Sequence, residues 1–554
     1  MPVNLTISAA PSDAVLDILR DEFDGCVFRG VDGFFAKYFD DKPWPAAASK
    51  LAAIIEPDGW MQRLPQILSF LCDTTETYFH SEPLSKPLGK ADTPLSGAAV
   101  YLATTPDVTA SNIRVFGEVH HPDTLAEAED THILRFYHRA LHVFKAQPTR
   151  YFLHGFLVLG STLELWVFDR SGAYSSEKFD IRHNSDLLVR ALYAYACMSD
   201  EEVGLNSFVK HCEDKKTSYV EFDQADSRFY LGPQRIAAPS YIVGLGTTCL
   251  GASRSASTAV TEPEAVVKLS WRDDSATHAE LQLLDLARQR QVKGVIQALG
   301  SKDLIRTANL RSGLKFPRPF VNRILSCVVT APRGWPVQTF TSMRELLHVL
   351  GDLVEALRSL YLDGRILHRD VAIKNLIIAQ QPGDCRPKGV LIDFDLAQDL
   401  DNVRARVPLM GSEGFMAIGI LSGQKHSYRH DLESLFYVLI WLAIGNNRDL
   451  DDAGDIMKGL PEGSRLRKWC GMDFGAVRRS KEADMGPEGF EAILDEFSPD
   501  FAPVRGLAKE LHTLLFPLRD GKLFTGTEID QAAAKRLYDS MAAAFHRWAS
   551  SFTW

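Results

Sequence analysis

Within Leu367-His368-Arg369-Asp370-Val371-Ala372-Ile373-Lys374-Asn375 an acid stands five residues before an amide. Eighteen residues after Asn375, the apolar pair Leu391-Ile392 leads into Asp393-Phe394-Asp395. These residue types in this order suit one chemistry. Asp370 is placed to accept the proton of a hydroxyl group. Asn375 and Asp393 are hard oxygen donors of the kind magnesium prefers, and magnesium neutralises phosphate charge during phosphoryl transfer. A His-Arg-Asp tripeptide alone is weak evidence, because turns between helix and strand produce it by chance. With Asn375 and Asp393 both in place the signal is specific. His368 and Phe394 read as packing residues that hold the loops.

Three upstream features fit the same chemistry. Val266-Val267-Lys268 ends an apolar strand, and Glu280 follows twelve residues later on a helix expected to begin near Ala276. A strand lysine paired with a glutamate on the next helix can hold the α- and β-phosphates of a nucleotide. Before that strand, Gly244-Leu245-Gly246 offers backbone that can approach phosphate closely. The third glycine of a Gly-x-Gly-x-x-Gly pattern is displaced: Cys249 occupies its place and the next glycine is Gly251. Gly244 and Gly246 are the candidate flap over the nucleotide, with Thr247, Thr248 and Ser253 as helpers.

The elements that must position these residues divide the chain. Residues 1–90 read as helical pieces joined by polar loops, and Ser81 to Ser96 as a linker rich in Pro, Lys and Ser. Residues 95–215 form an α/β unit: strands at Ala98–Ala103 and Ile113–Val119, a helix at His132–Phe144, strands at Tyr151–Leu159 and Leu163–Phe168, and a helix at Leu187–Met198. Residues 235–335 alternate strands with one strong helix. Residues 336–554 carry a long amphipathic helix at 344–362, a nearly uniformly apolar helix at Asp431–Ile444, an insertion with short helices at 449–505, and a closing helix at Ala532–Trp548.

The 554 residues suffice for two to four domains, and 45% hydrophobic with 24% charged residues is an ordinary globular composition. The net charge of −10 and the lack of a basic stripe argue against nucleic acid as a main partner. Eight cysteines without a Cys-x-x-Cys pair point to a reduced, intracellular protein, cytoplasmic or nuclear. The first 30 residues lack a basic start followed by an apolar run, so no secretory signal is expected. No uncharged apolar run reaches the ~18 residues of a membrane span, so no membrane partner is expected.

Beyond these local patterns, the chain resembles the fungal-type protein kinases. The resemblance rests on KAQPTRYFLHGF (145–156), ELWVFDRSG (164–172), VVKLSW (266–271), ILHRDVAIKNLII (366–378), LIDFDLA (391–397), GFMAIGIL (414–421) and HDLESLFYVLIW (430–441). It implies an α+β, bilobal kinase fold with a β-rich small lobe at 235–335 and a helical large lobe at 336–554, preceded by a separate α/β domain. It also implies ATP, magnesium and transfer to a protein hydroxyl. Lys268, Asp370 and Asn375 would be catalytic. Gly244, Gly246, Lys268, Glu280, Asn375 and Asp393 would bind the nucleotide, with Asn375 and Asp393 on the metal.

The chain departs from the general kinase pattern at several points. Asp395 replaces the glycine of Asp-Phe-Gly, as it does in the fungal-type group, and removes a free φ. Ala372 stands where serine/threonine kinases carry a lysine, and Lys374 where tyrosine kinases carry an arginine, so the acceptor type stays open. Gly419 stands where the Glu of Ala-Pro-Glu is usual. The segment around Gly419 is therefore expected to be held by apolar packing, with Arg519 reaching solvent or another acid such as Glu413 or Glu433. Ser412 is the one hydroxyl of the activation segment. An active protein kinase is the first expectation, a pseudokinase that binds nucleotide or scaffolds the second, and a small-molecule kinase the third. In the α/β unit, Gly117-Glu118-Val119-His120 followed by a helix resembles restriction-endonuclease-like domains. Histidine stands at the lysine place and strand Ala98–Ala103 has no Asp, so a nonenzymatic docking or regulatory domain is expected.

Overall fold

The computed structural model describes residues 11–42, 66–71, 77–84, 97–121, 128–212, 217–223, 227–275, 280–380, 384–402, 411–445, 457–528 and 530–552. The fold is mixed α+β. Its contacts divide the chain into two compact units: Met1–Pro263 with Val267–Ser275 and Ser301–Val328, and Glu264–Val266 with Ala276–Gly300 and Val329–Trp554.

The first unit begins with helix Asp13–Phe23 (α1), which buries Leu16, Leu19 and Phe23. Gly97–Ala103 (β1) and Ile113–His120 (β2) pair antiparallel. Helix Glu129–Ala146 (α2) then crosses over, so that Phe152–Leu159 (β3) runs parallel to β2. Thr162–Asp169 (β4) pairs antiparallel with β3. These four strands are the centre of an eight-stranded sheet. A strand flanked on both edges and covered on both faces needs apolar residues at every position, and β3 (FLHGFLVL) is buried along nearly all its length. Helix Ser185–Cys197 (α3) follows.

The region read as helical pieces also contains a strand, Tyr78–Pro83, antiparallel to β1. Its polar residues and terminal proline suit the outer position it takes in the strand order. The rest of the expected linker, 85–96, lies outside the described residues.

A second sheet is built from Arg228–Ala237 (β5), Thr248–Ser253 (β6), Ala265–Asp273 (β7), Gln297–Arg306 (β8) and Arg323–Ala331 (β9). Its order is β8-β9-β7-β6-β5, extended by Ser218–Glu221 and Lys210–His211. Most of this sheet lies in the first unit.

The second unit holds helix Glu280–Gln289 (α4) and helix Met343–Leu362 (α5). The Ser342 side chain caps α5 by accepting from the Glu345 N–H. Past its end, Gly364 N–H returns to Ser359 O at 2.9 Å. Short strands Ile366–Leu367 (β10), Leu376–Ala379 (β11) and Lys388–Leu391 (β12) flank the motif residues; β11 and β12 form a hairpin. Helix Tyr428–Ile444 (α6) is buried at all 17 positions. Helix Phe474–Asp484 (α7) lies in the stretch read as an insertion, and Gln531–Ala549 (α8) packs along α5. No helix among the described residues is long and apolar enough to cross a membrane.

Candidate active site

The loop after β10 carries Asp370. Two peptide N–H groups, of His368 and Arg369, each donate at 3.0 Å to the carboxylate of Asp431 on α6. Burial alone would raise the pKa of Asp431, but His426 at 2.8 Å and these bonds hold it below the usual carboxylate range. An anion beneath the loop thus fixes a backbone in which Arg369 adopts φ +69. His368 Nε2 meets Ile392 O at 3.0 Å and its ring lies against Phe394 at 5.3 Å, so this pair joins the two motif loops.

The Asp370 carboxylate is buried and held on both oxygens. Oδ1 accepts from the N–H and the hydroxyl of Ser412, each at 2.7 Å. Oδ2 accepts from Asn375 Nδ2 at 2.9 Å and faces Lys374 Nζ at 3.7 Å. Asn375 Nδ2 also donates to Asp370 O at 2.8 Å. With its nitrogen committed to Asp370, the amide oxygen is the atom left for a cation.

Asp393 adopts φ +66 at the end of β12. The next N–H, of Phe394, donates to Glu280 Oε1 on α4 at 3.1 Å. One carboxylate oxygen each from Glu280, Asp393 and Asp395 lie within 4.8 Å of one another. Hard oxygen donors this close match the chemistry of a divalent cation. Asp395 entered the sequence reading as a lost glycine; the structure places its carboxylate beside Asp393.

The structure therefore brings Asp370 and Asn375 into contact, and Glu280 beside Asp393. Lys268, Gly244 and Gly246 belong to the first unit. Lys268 is buried on β7. Gly244 and Gly246 lie between β5 and β6, both at positive φ (+126 and +52). The helper hydroxyls are engaged by neighbours: Thr247 with Ser270 at 3.2 Å and Ser253 with Thr258 at 2.5 Å.

Apolar packing holds the segment around Gly419 as expected, with Phe415, Met416, Ile418, Ile420 and Leu421 all buried, and polar bonds add to it. Ile418 N–H donates to Glu433 Oε1 at 2.7 Å, and Arg429 pairs with Glu433 Oε2 at 2.7 Å inside α6. Lys481 on α7 donates to Gly414 O at 2.8 Å and Met416 O at 2.7 Å, over the ring of Tyr437. The apolar neighbours are buried, but burying them also buries backbone groups that require partners. Arg519 reaches solvent, as expected, and the acid it pairs with is Glu528, not Glu413 or Glu433. A Cβ on Gly419 would lie 2.3 Å from His430 Nε2 and 2.9 Å from Gln424 Oε1. Gly419→Glu should therefore destabilise the protein by about 3 kcal/mol or more, from overpacking plus a buried carboxylate. A melting temperature at or above that of the wild type would refute this.

Lys481 also predicts a pH effect. Burial lowers its pKa from 10.5 to about 7, although the Glu433 charge opposes this. Between those values the unfolded chain keeps a proton that the folded chain releases, so stability from this group rises with pH. Wild type should gain more stability from pH 7 to pH 9 than Lys481→Met; equal gains in thermal melts would exclude Lys481 as the titrating group.

In the first unit, Glu118 of β2 is buried and accepts from Arg139 Nε at 2.7 Å, with His120 Nε2 at 3.0 Å. Burial raises its pKa, but Arg139 and His120 together hold it below the ordinary range. Its carboxylate serves an ion pair, and no group of three possible metal ligands forms around it among the described residues.

A loop that seats an acid against an amide, with a second acid at the end of the following hairpin, is the arrangement expected of the protein-kinase class. A family model for fungal protein kinases matches residues 99–443, and the chain belongs to that family. No curated protein matches the chain.

Proposed function

We propose that this protein is an active kinase that transfers the γ-phosphoryl group of MgATP to a hydroxyl of a protein substrate. The observation that carries this reading is the Asp370 carboxylate, held on one oxygen by Ser412 and on the other by Asn375 and Lys374. A carboxylate fixed this way can orient the acceptor hydroxyl and take its proton as transfer proceeds. Lys374 brings a positive charge to that place, where it can face the transferred group. Asn375 and Asp393 would hold magnesium, with Asp395 and Glu280 as further oxygens nearby, and the ion would neutralise the charge of the phosphates. Lys268 would hold the α- and β-phosphates, and the segment with Gly244 and Gly246 would cover them. The bilobal arrangement with a separate N-terminal domain belongs to the same proposal. Reduced cysteines and the acidic net charge support an intracellular enzyme without a nucleic-acid partner.

The test is transfer of labelled phosphate from ATP to a mixture of protein substrates, with MgATP binding measured in parallel. Binding and transfer are expected for wild type. Binding without transfer would favour the pseudokinase, and transfer to small molecules alone the third alternative. Lys268→Ala should weaken binding or lower the transfer rate by about tenfold or more, the scale of a lost charge-assisted contact. A variant that binds MgATP and turns over like wild type would remove Lys268 from the site.

A further inference from the structure

The segment read as a nucleotide flap is not a free turn. Its backbone is bonded on both sides to side chains from distant parts of the first unit. Glu22 at the end of α1 accepts through Oε1 from Ile242 N–H at 2.6 Å and from Val243 N–H at 2.8 Å. Arg170, just after β4, donates from Nη1 to Tyr241 O at 2.9 Å and Ile242 O at 3.0 Å. The Arg170 backbone joins in, its carbonyl accepting from Gly244 N–H at 3.0 Å. Ile242 is fully buried in the core that also contains Leu16, Leu19, Phe23, Phe144 and Phe168.

The glycine at 246 has a matching cause. A Cβ there would lie 2.6 Å from Arg170 Nε. The close approach that requires glycine is thus to the guanidinium, in addition to the positive φ. The strand leading into the segment is tied down as well, because Arg235 donates to Lys145 O and Ala146 O, each at 2.6 Å, at the end of α2. A loop free to open and close would leave its N–H and C=O groups to water. Here the groups of Ile242 are taken by one acid and one guanidinium that is itself fully buried.

We propose that the N-terminal α/β domain is a fixed mount for the nucleotide loop, with Glu22 and Arg170 as positioning residues for ATP binding. This rests on the reading of Gly244 and Gly246 as that loop. It assigns the domain a part in the kinase reaction itself, and the loop a rigid place from which it covers the phosphates.

The experiment uses the full chain and compares wild type, Glu22→Ala and Glu22→Gln. It measures KM for ATP, KM for the protein substrate, kcat and amide hydrogen exchange over residues 239–248. Glu22→Ala removes an acceptor shared by two N–H groups. It should raise KM for ATP about tenfold, with kcat and the substrate KM within about threefold of wild type. Exchange at Ile242 and Val243 should quicken in the same variant. Glu22→Gln keeps an acceptor oxygen and should restore KM for ATP to within about threefold. If Glu22→Ala fails to fold, Arg170→Lys makes the same comparison, since it keeps the charge but loses the forked contact; a severalfold rise in KM for ATP is expected. A wild-type KM for ATP in the folded variant would overturn the proposal, even with faster exchange. A fall in kcat with a rise in both KM values would also overturn it, because the effect would then not be confined to ATP binding. Failure of the kinase reading itself would appear separately, as no MgATP binding in wild type before any variant is made.

Discussion

Replacing Asp370 with asparagine should cut phosphoryl transfer by about 10²-fold or more while leaving MgATP binding near wild type. An amide at this place can still accept from Ser412 through its oxygen, so the contacts at 2.7 Å are kept in part. What it cannot do is take the acceptor proton or carry the charge that faces Lys374. Its amide nitrogen would also meet Asn375 Nδ2, a donor against a donor, unless one of the two flips. The measurement is single-turnover transfer at equal ATP occupancy, with binding followed by calorimetry. Equal rates would place the base elsewhere or make the protein a pseudokinase.

The second large effect is on stability. Arg429→Met should destabilise the second unit by about 3–5 kcal/mol, because it leaves Glu433 charged and buried without its cation. Two neutral donors remain to Glu433, Ile418 N–H and Tyr437 O–H, both at 2.7 Å, which keeps the loss within that range. The double variant Arg429→Met/Glu433→Gln should recover part of it, since the uncompensated charge is gone while an acceptor oxygen stays. Denaturant midpoints for the three proteins decide the matter. A single variant as stable as wild type would show that the pair contributes nothing.

Local patterns were legible in the sequence, and long-range ones were not. Asp370 and Asn375 are five residues apart and meet in space, because a short loop between two strands permits little else. The apolar run ending at Ile444 was readable as a buried helix. Its first turn was not, since Tyr428, Arg429 and His430 look like surface residues until their partners are known. Strand Tyr78–Pro83 was missed for the same kind of reason: an outer strand carries polar residues and tolerates proline, so its letters read as a linker. Ser412 and Asp431, which hold the loop of Asp370, come from 42 and 61 residues further along the chain, and no fixed spacing announces them. Glu22 and Ile242 are 220 residues apart, and only folding brings them together.

The buried guanidinium of Arg429 also bears on where this polypeptide can be cut. Besides Glu433 it donates to Leu515 O, Phe524 O and Thr525 O, and the adjoining Tyr428 hydroxyl reaches Glu528 O. All four acceptors lie beyond residue 443, where the match to the family model stops. A ribosome that has extruded only the matched stretch has made a helix whose cation still lacks most of its oxygens. The piece able to fold alone is therefore longer than the piece kinship defines, and an expression boundary belongs after α8, which packs along α5.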